Sequence, residues 1–433
     1  MYPNLYYAFR DLFGVSEKWK FLHFFNSFGF FVALSFVAAA IVLTAELKRK
    51  SKQGLLHYEE SKIIVGQPAS IGELLMNFIL GFLLGYKIIG AFVSDSPLAA
   101  SPPDFIMSSE GSLPLGIALG LVFAGMKWWE KNKQKLAKPE ERTIRIWPQD
   151  RVGDIVIFAA IFGFLGAKIF HNLENWDELV ANPVSSLLSF SGLTFYGGLI
   201  CAALAIWWYA KKHKIGFWHL NDSAAPALML AYGLGRVGCQ VAGDGDWGVV
   251  NGAYINDAAG KAIPATAEQV GSALQANQDF YLRQFGSMEN VHHIATKAPS
   301  FLPDWMVAYS YPHNVINEGV RFPGCVGEYC SYLPLPVYPT PFYETIACLI
   351  LFGFLMAIRK RIQVPGALFA VYLILNGIER FLVEKIRVNT TYSIFGFHPT
   401  QAELISAGLV ITGIILLLTL RKKPIPLKDE ARI

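Results

Sequence analysis

The feature that most limits what this chain can become is its series of nine apolar stretches, each close to the ~20 residues that a helix needs to cross a bilayer. They lie at 21–45, 71–93, 112–129, 153–171, 193–210, 222–242, 342–358, 366–384 and 402–420. In lipid every backbone N–H and C=O must be bonded within its own segment, so stretches of this kind are helices. Composition agrees, with 53% apolar and only 16% charged residues, against roughly a quarter charged in soluble domains. The expected fold class is an all-α polytopic membrane protein of about nine transmembrane helices. The sixth stretch is the weakest, because it contains Asp222, Arg236 and several glycines.

Charge orients the spans. Lys48-Arg49-Lys50 with Lys52, then Lys127, Lys131, Lys133, Lys135 and Arg142, then Lys211-Lys212 with Lys214, Arg359-Lys360-Arg361 and Arg421-Lys422-Lys423 all follow odd-numbered spans. The intervening loops 94–111 and 172–192 contain no Lys or Arg. Positive charge is retained on the cytoplasmic side, so the N-terminus is expected outside and the C-terminus inside. Lys18, Lys20, Lys385 and Arg387 are minor exceptions. A net charge of +4 without a dense basic tract gives no reason to expect nucleic acid. The first twenty residues lack an apolar run ending at a small-residue cleavage site, so no cleavable signal peptide is expected.

The spans divide the chain into an external segment 1–20, a six-span bundle 21–242, an extracytoplasmic loop or cap 243–341, a three-span bundle 342–420 and a cytoplasmic tail 421–433. The first bundle holds a repeat at an offset of 81 residues. Gly85 and Lys87 match Gly166 and Lys168, and Gly111 and Gly116 match Gly192 and Gly197. The hairpin 71–129 thus duplicates 153–210, and the favoured reading is packing. Such repeats also occur in transporters. The inner half of each span is nearly free of ionisable groups, however, which counts against a path through the membrane. The loop 243–341 is rich in Gly, Pro and Asn but has scattered aromatic residues, so a folded cap is expected. Within it, Cys325 and Cys330 are either bridged or two unpaired thiols.

Ionisable groups inside spans are costly and therefore informative. With this orientation Arg236, Arg380, Glu384, Arg387, Glu344, Lys168, His171, Tyr196, Tyr343, Asp244, Asp246, His398 and Glu403 all fall near the outer-leaflet headgroups. Arg380 and Glu384 stand one turn apart and can pair within their helix. Lys87, Lys168 and His171 are read as snorkelling to the interface, and the tyrosines also suit an aromatic belt. Arg236 is flanked by small residues that admit other groups, and two arginines at one depth could grip phosphate bidentately. Gly233-Leu234-Gly235-Arg236-Val237-Gly238 fits G-x-G-x-x-G, but inside an apolar span it makes a poor dinucleotide site. Asp244 and Asp246 read as a turn at the helix exit rather than metal ligands; neither metal nor cofactor is expected.

Gly235-Arg236-Val237-Gly238-Cys239 through Gly243-Asp244-Gly245-Asp246-Trp247-Gly248 resembles the signature of bacterial prolipoprotein diacylglyceryl transferases. Phe195-Tyr196-Gly197-Gly198-Leu199 resembles that family's aromatic-His-Gly-Gly-Leu segment. Tyr338-Pro339-Thr340-Pro341-Phe342-Tyr343-Glu344 is similar to its Pro-(Ser/Thr)-x-x-Tyr-Glu segment, and Arg380, Glu384 and Arg387 to its Arg-x-x-x-Glu-x-x-Arg helix. The likeness covers the first span and roughly 153–248 and 338–420. It implies transfer of a diacylglyceryl group from phosphatidylglycerol to the lipobox thiol of a prolipoprotein, at the outer face of the bacterial inner membrane. Its partners are then phosphatidylglycerol, prolipoprotein signal peptides and membrane lipid. It further implies Arg236, Arg380, Tyr196 and Glu384 as catalytic residues, with Gly238, Asp244, Tyr343, Glu344 and Arg387 joining Arg236 in substrate binding. The chain departs from the pattern at Tyr196, where the family has His, at Cys239 for Asn, at Asp244 for Glu, and at Phe30 for the tyrosine of the first span. One residue is inserted before Trp247. An inactive relative serving as a membrane scaffold or lipid-binding protein is the second reading.

Overall fold

A computed structural model describes all residues except 17–18, 95, 97–101, 189–193, 390–391, 393–397 and 421–433. Lys18, Gly192, Arg421-Lys422-Lys423 and the tail 421–433 therefore lie outside the described residues. The chain is mostly helical. In order, α1 is Leu5–Phe13, α2 Ser27–Lys52, α3 Ile71–Val93 with a π-helical turn at Leu84–Ile89, α4 Leu113–Lys133, α5 Val152–Glu174, α6 Phe195–Lys212 and α7 Phe217–Ala242. Then come α8 Ala267–Ala276, α9 Gln278–Phe285, α10 Thr340–Ile358, α11 Ala367–Glu384 and α12 Gln401–Leu420.

A helix coincides with each of the nine apolar stretches. Five of them, α2, α3, α5 (continuous with a short turn from Pro148), α10 and α12, are long and apolar enough to cross a membrane. The first stretch needs a correction, because Lys20–Phe24 forms a separate 3₁₀ turn and α2 begins only at Ser27.

The chain falls into two compact units, one of Met1–Ser16, Phe25–Glu46 and Trp218–Ile433, the other of Glu17–Phe24 and Leu47–Phe217. The first and sixth apolar stretches thus group with the last three, and the second to fifth form the other unit. In the second unit α3 packs on α4, and α5 on α6, through glycines. A Cβ on Gly85 would lie 2.2 Å from the Leu115 carbonyl and 2.9 Å from Gly116 Cα. One on Gly166 would lie 2.5 Å from the Gly197 carbonyl. The repeated glycines are therefore the points where two backbones touch, as small residues permit in membrane helix pairs. An antiparallel pair of strands, β1 Glu59–Val65 and β2 Glu140–Ile146, spans the loops of this unit.

The ammonium of Lys87, read as snorkelling to the interface, reaches the loop that follows its helix. Lys87 Nζ donates to the carbonyls of Phe105, Ser108 and Glu110, satisfying backbone acceptors that lack a helical partner. Lys168 is buried, and the His171 ring contacts the Asn175 amide at 3.3 Å.

In the first unit the stretch between α7 and α10 is folded. Val250, Val270, Tyr281, Tyr311, Leu333, Leu335 and Val337 form one buried cluster around short strand pairs and α8–α9. Buried asparagines serve its irregular backbone. Asn251 Nδ2 donates to the carbonyls of Thr296 and Val307, while its Oδ1 accepts from the amides of Ala253 and Thr296. The choice left open at Cys325 and Cys330 resolves as a disulfide, with Cα atoms 5.8 Å apart. Asp222, which weakened the sixth stretch in the sequence, accepts from the amides of Gly366 and Phe369 and so caps α11.

Candidate functional site

The site is built where α7, α10 and α11 meet. α7 ends in a glycine turn, with Gly243 at φ 67° donating its amide to the Cys239 carbonyl and Gly245 at φ 102°. Gly243 also lies too close to Asn314 to carry a side chain, since its Cβ would sit 2.9 Å from Asn314 Cβ. This turn, anchored by a hydrogen bond from the Thr340 hydroxyl to the Asp246 carbonyl at 2.7 Å, brings Asp246 back over the end of α7.

Glu344 is the centre of the site. It lies one turn into α10 and is fully buried, at 0% exposure. Arg380 Nη1 donates to its Oε1 at 2.7 Å, and the Tyr232 hydroxyl donates to the same oxygen at 3.0 Å. Arg236 Nε lies 3.0 Å from Oε2, and Arg387 Nη1 lies 3.7 Å from Oε1. Asp246 is the second bridging acid, accepting from Arg236 Nη1 and from Arg387 Nη2, the latter at 2.5 Å. Glu384 makes the intrahelical pair with Arg380 at 3.2 Å and accepts from Asn389 at 2.6 Å. Arg236 also stacks over Tyr232, 5.3 Å from the ring centroid. Three guanidiniums are thereby held by three carboxylates, with Arg387 Nε and Nη1 left without hydrogen-bond partners among the described residues. A buried charge is tolerable only when paired in this way.

The expected residues do not all come together. Arg236, Arg380, Arg387, Glu344 and Glu384 come together. Asp244 does not reach the guanidiniums with a hydrogen bond; it accepts from the Asp246 amide at 3.4 Å, and Asp246 takes the place expected for it beside Arg236 and Arg387. Burial raises the Asp244 carboxyl above its usual range. Burial pushes Asp246 the same way, but Arg236 and Arg387 outweigh it and hold that carboxyl below its usual range. Tyr343 turns away, its hydroxyl donating to the Met306 carbonyl in the cap at 2.5 Å. Gly238 is a packing residue, its missing side chain leaving room for Phe28 and Phe31 of α2. Tyr196 opens α6 and belongs to the second compact unit.

Cys239 Sγ and carboxylate oxygens of Asp244 and Asp246 lie within 4.8 Å of one another. Asp246 is already taken by two arginines there, which would compete with any cation. Beside Glu384 and Arg387 a cavity of about 880 Å³ opens against the folded cap, lined by Trp247, Phe280, Tyr281 and His293 among others. Sequence reasoning missed Tyr232 and Glu379, and although it set Asp246 at the depth of the arginines it gave that residue no role beyond a turn at the helix exit. For Glu379 and Tyr232 a signal existed: each lies within an apolar helix at the depth of the arginines.

Known proteins can be set beside this geometry. The family model of prolipoprotein diacylglyceryl transferase matches residues 113–419. That range takes in α4 but leaves out the first span, which the sequence resemblance had included. Proteins named phosphatidylglycerol–prolipoprotein diacylglyceryl transferase are also similar to this chain. One from Staphylococcus haemolyticus is 25% identical over 64% of this chain and 75% of its own length. One from Bacillus cereus is 27% identical and one from Bacillus thuringiensis 28% identical, each over 64% of this chain and 78% of its own. With the match extending over more than half of its length and including every arginine of the cluster, the chain belongs to the prolipoprotein diacylglyceryl transferase family.

Proposed function

We propose that this protein transfers the diacylglyceryl group of phosphatidylglycerol to the lipobox cysteine thiol of a prolipoprotein, releasing glycerol phosphate. The reading places it in a bacterial inner membrane with the site toward the outer leaflet. The observation that carries it is the convergence of Arg236, Arg380 and Arg387 on the buried Glu344.

In the reaction a sulfur–carbon bond forms at the diacylglyceryl carbon as the carbon–oxygen bond to phosphate breaks. The bonding electrons pass to a phosphate oxygen. Guanidiniums already fixed in place stabilise that charge without reorganising, which is the source of most electrostatic catalysis. Arg236 and Arg380 are the phosphate ligands in this scheme, and Arg387 offers its two unfilled donors. Glu344 aims the forks, and Glu384 fixes Arg380 from the next turn. The thiol gains nucleophilicity as it loses its proton in the positive field. Tyrosine ordinarily titrates at about pH 10, so at neutral pH Tyr196 is a poorer base than the histidine that the family has at this position. The cavity under the cap is the proposed approach for the acceptor polypeptide, while the lipid enters between helices.

The decisive measurement is transfer of labelled diacylglycerol from phosphatidylglycerol to a lipobox peptide. Arg236→Ala is expected to lower the rate by about 10²–10³-fold. Equal rates in both proteins would overturn the role of Arg236. The substitution of Tyr196 for His favours one other reading, a non-catalytic relative that binds lipid; an inactive wild-type protein that also fails to support growth of transferase-depleted cells would select it.

A further inference from the structure

A fourth carboxyl crowds the arginine cluster. Glu379 precedes Arg380 on α11 and is 6% exposed, and neither of its carboxyl oxygens has a hydrogen-bond partner among the described residues. The groups that face it electrostatically are Glu344 and Cys348 of α10, Tyr232 and Arg236 of α7, and Tyr372, Arg380 and Arg387 along and just beyond its own helix. α12, packed on the other side, contributes Glu403 as its one ionisable residue, and Lys385 and the Thr400 amide hold that carboxylate. Glu344, Asp246 and Glu384 already match the three guanidiniums.

We propose that Glu379 is the charge-compensating residue of the phosphate site, and that anionic lipid binds the form of the protein in which Glu379 carries a proton. This rests on the reading that Arg236 and Arg380 hold the lipid phosphate. A phosphodiester brings one further negative charge into a place where three positive and three negative charges are balanced. An ionised Glu379 would add a second, and like charges in a poorly hydrated interior repel strongly. The phosphodiester has no proton to gain at ordinary pH, whereas Glu379 does. A protonated Glu379 leaves the incoming phosphate as the only unmatched anion before the three arginines. Glu379 acts on the lipid through Arg236 and Arg380 and need not touch it, so it is a positioning residue.

The test is calorimetric titration of dihexanoyl phosphatidylglycerol into the full-length protein in detergent, from about pH 6 to 10, in buffers of different ionisation enthalpy. The wild type is expected to lose affinity by about tenfold per pH unit once Glu379 ionises, the slope for one linked proton. Proton uptake per bound lipid should rise toward one over the same range. Glu379→Gln should bind with a flat pH profile and no uptake, and Cys348→Ser should keep the wild-type profile, which separates Glu379 from the neighbouring thiol. Proton uptake absent from the wild type at every pH overturns the proposal, and this arm does not depend on the variant folding. A wild-type slope retained in Glu379→Gln also overturns it while leaving the phosphate site standing. A wild type that binds no phosphatidylglycerol at any pH overturns the phosphate site itself, and this inference with it.

Discussion

In the unit that carries the repeat, helices meet glycine to glycine, Gly85 against Gly116 and Gly166 against Gly197. In the other unit α7, α10 and α11 meet through Arg236, Arg380, Arg387, Glu344, Asp246 and Glu384. Lipid offers no hydrophobic force to drive helices together, so contact must come from close backbone packing or from polar bonds. The unit with the repeat relies on the first solution, while the other uses both, since Gly377 and Gly413 also bring α11 and α12 into backbone contact. Glycine packing needs only small residues at a fixed spacing, so it survives duplication and appears in both copies of the repeat. The ion cluster needs every member at once, and among the described residues it stands in a single copy.

The sharpest way to break this comparison is to remove the centre of the cluster. Glu344→Leu leaves three guanidiniums without their shared acid, and breaking a buried pair from one side costs about 3–5 kcal/mol. Transfer to a lipobox peptide should fall by more than about a hundredfold, together with the thermal midpoint in detergent. A variant that keeps either property would show that Glu344 is not the centre.

Next in size is the glycine contact. Gly85→Leu and Gly166→Leu force a side chain into a backbone carbonyl of the facing helix and should each cost about 1–3 kcal/mol. Gly125→Ala is the control, because its Cβ meets nothing within 4 Å; its effect should stay within about 0.5 kcal/mol. Equal thermal midpoints for Gly85→Leu and Gly125→Ala would remove packing as the purpose of the repeat.

The smallest effect expected is pH dependence from Asp246, whose side chain is about one-third exposed, 34%. Its carboxyl is held below its usual range by Arg236 and Arg387 against the opposing effect of burial. Between the folded and unfolded values the unfolded chain binds more protons, so stability rises with pH there. The contribution is complete above the ordinary carboxylate range, near pH 4, and is lost as pH falls through the lowered folded value. Thermal midpoints of Asp246→Asn and wild type should therefore converge on acidification; a constant gap would contradict the ion pairing.

Much of this was legible from sequence because it is local. Apolar length sets where a helix can form in lipid, and α3, α10, α11 and α12 start or end within two residues of the expected limits. Arg380 and Glu384 are one turn apart on one helix, so their pairing follows from helical spacing alone. Both copies of the glycine pattern could be read as a repeat, and the helix contacts then supplied its meaning.

What tertiary structure decided is which distant group each charge meets. Asp246, not Asp244, bridges Arg236 and Arg387, because two glycines at positive φ reverse the chain after α7. Tyr343 and Glu344 are neighbours in sequence, yet one bonds the cap and the other three arginines. Asp222 caps a helix whose first residue lies far along the chain. The sequence by itself determined that these charges enter the membrane domain, since hydropathy and helical period are carried by near neighbours. Their partners depend on how each helix is rotated and where the chain returns, and that is settled only when all the helices pack together.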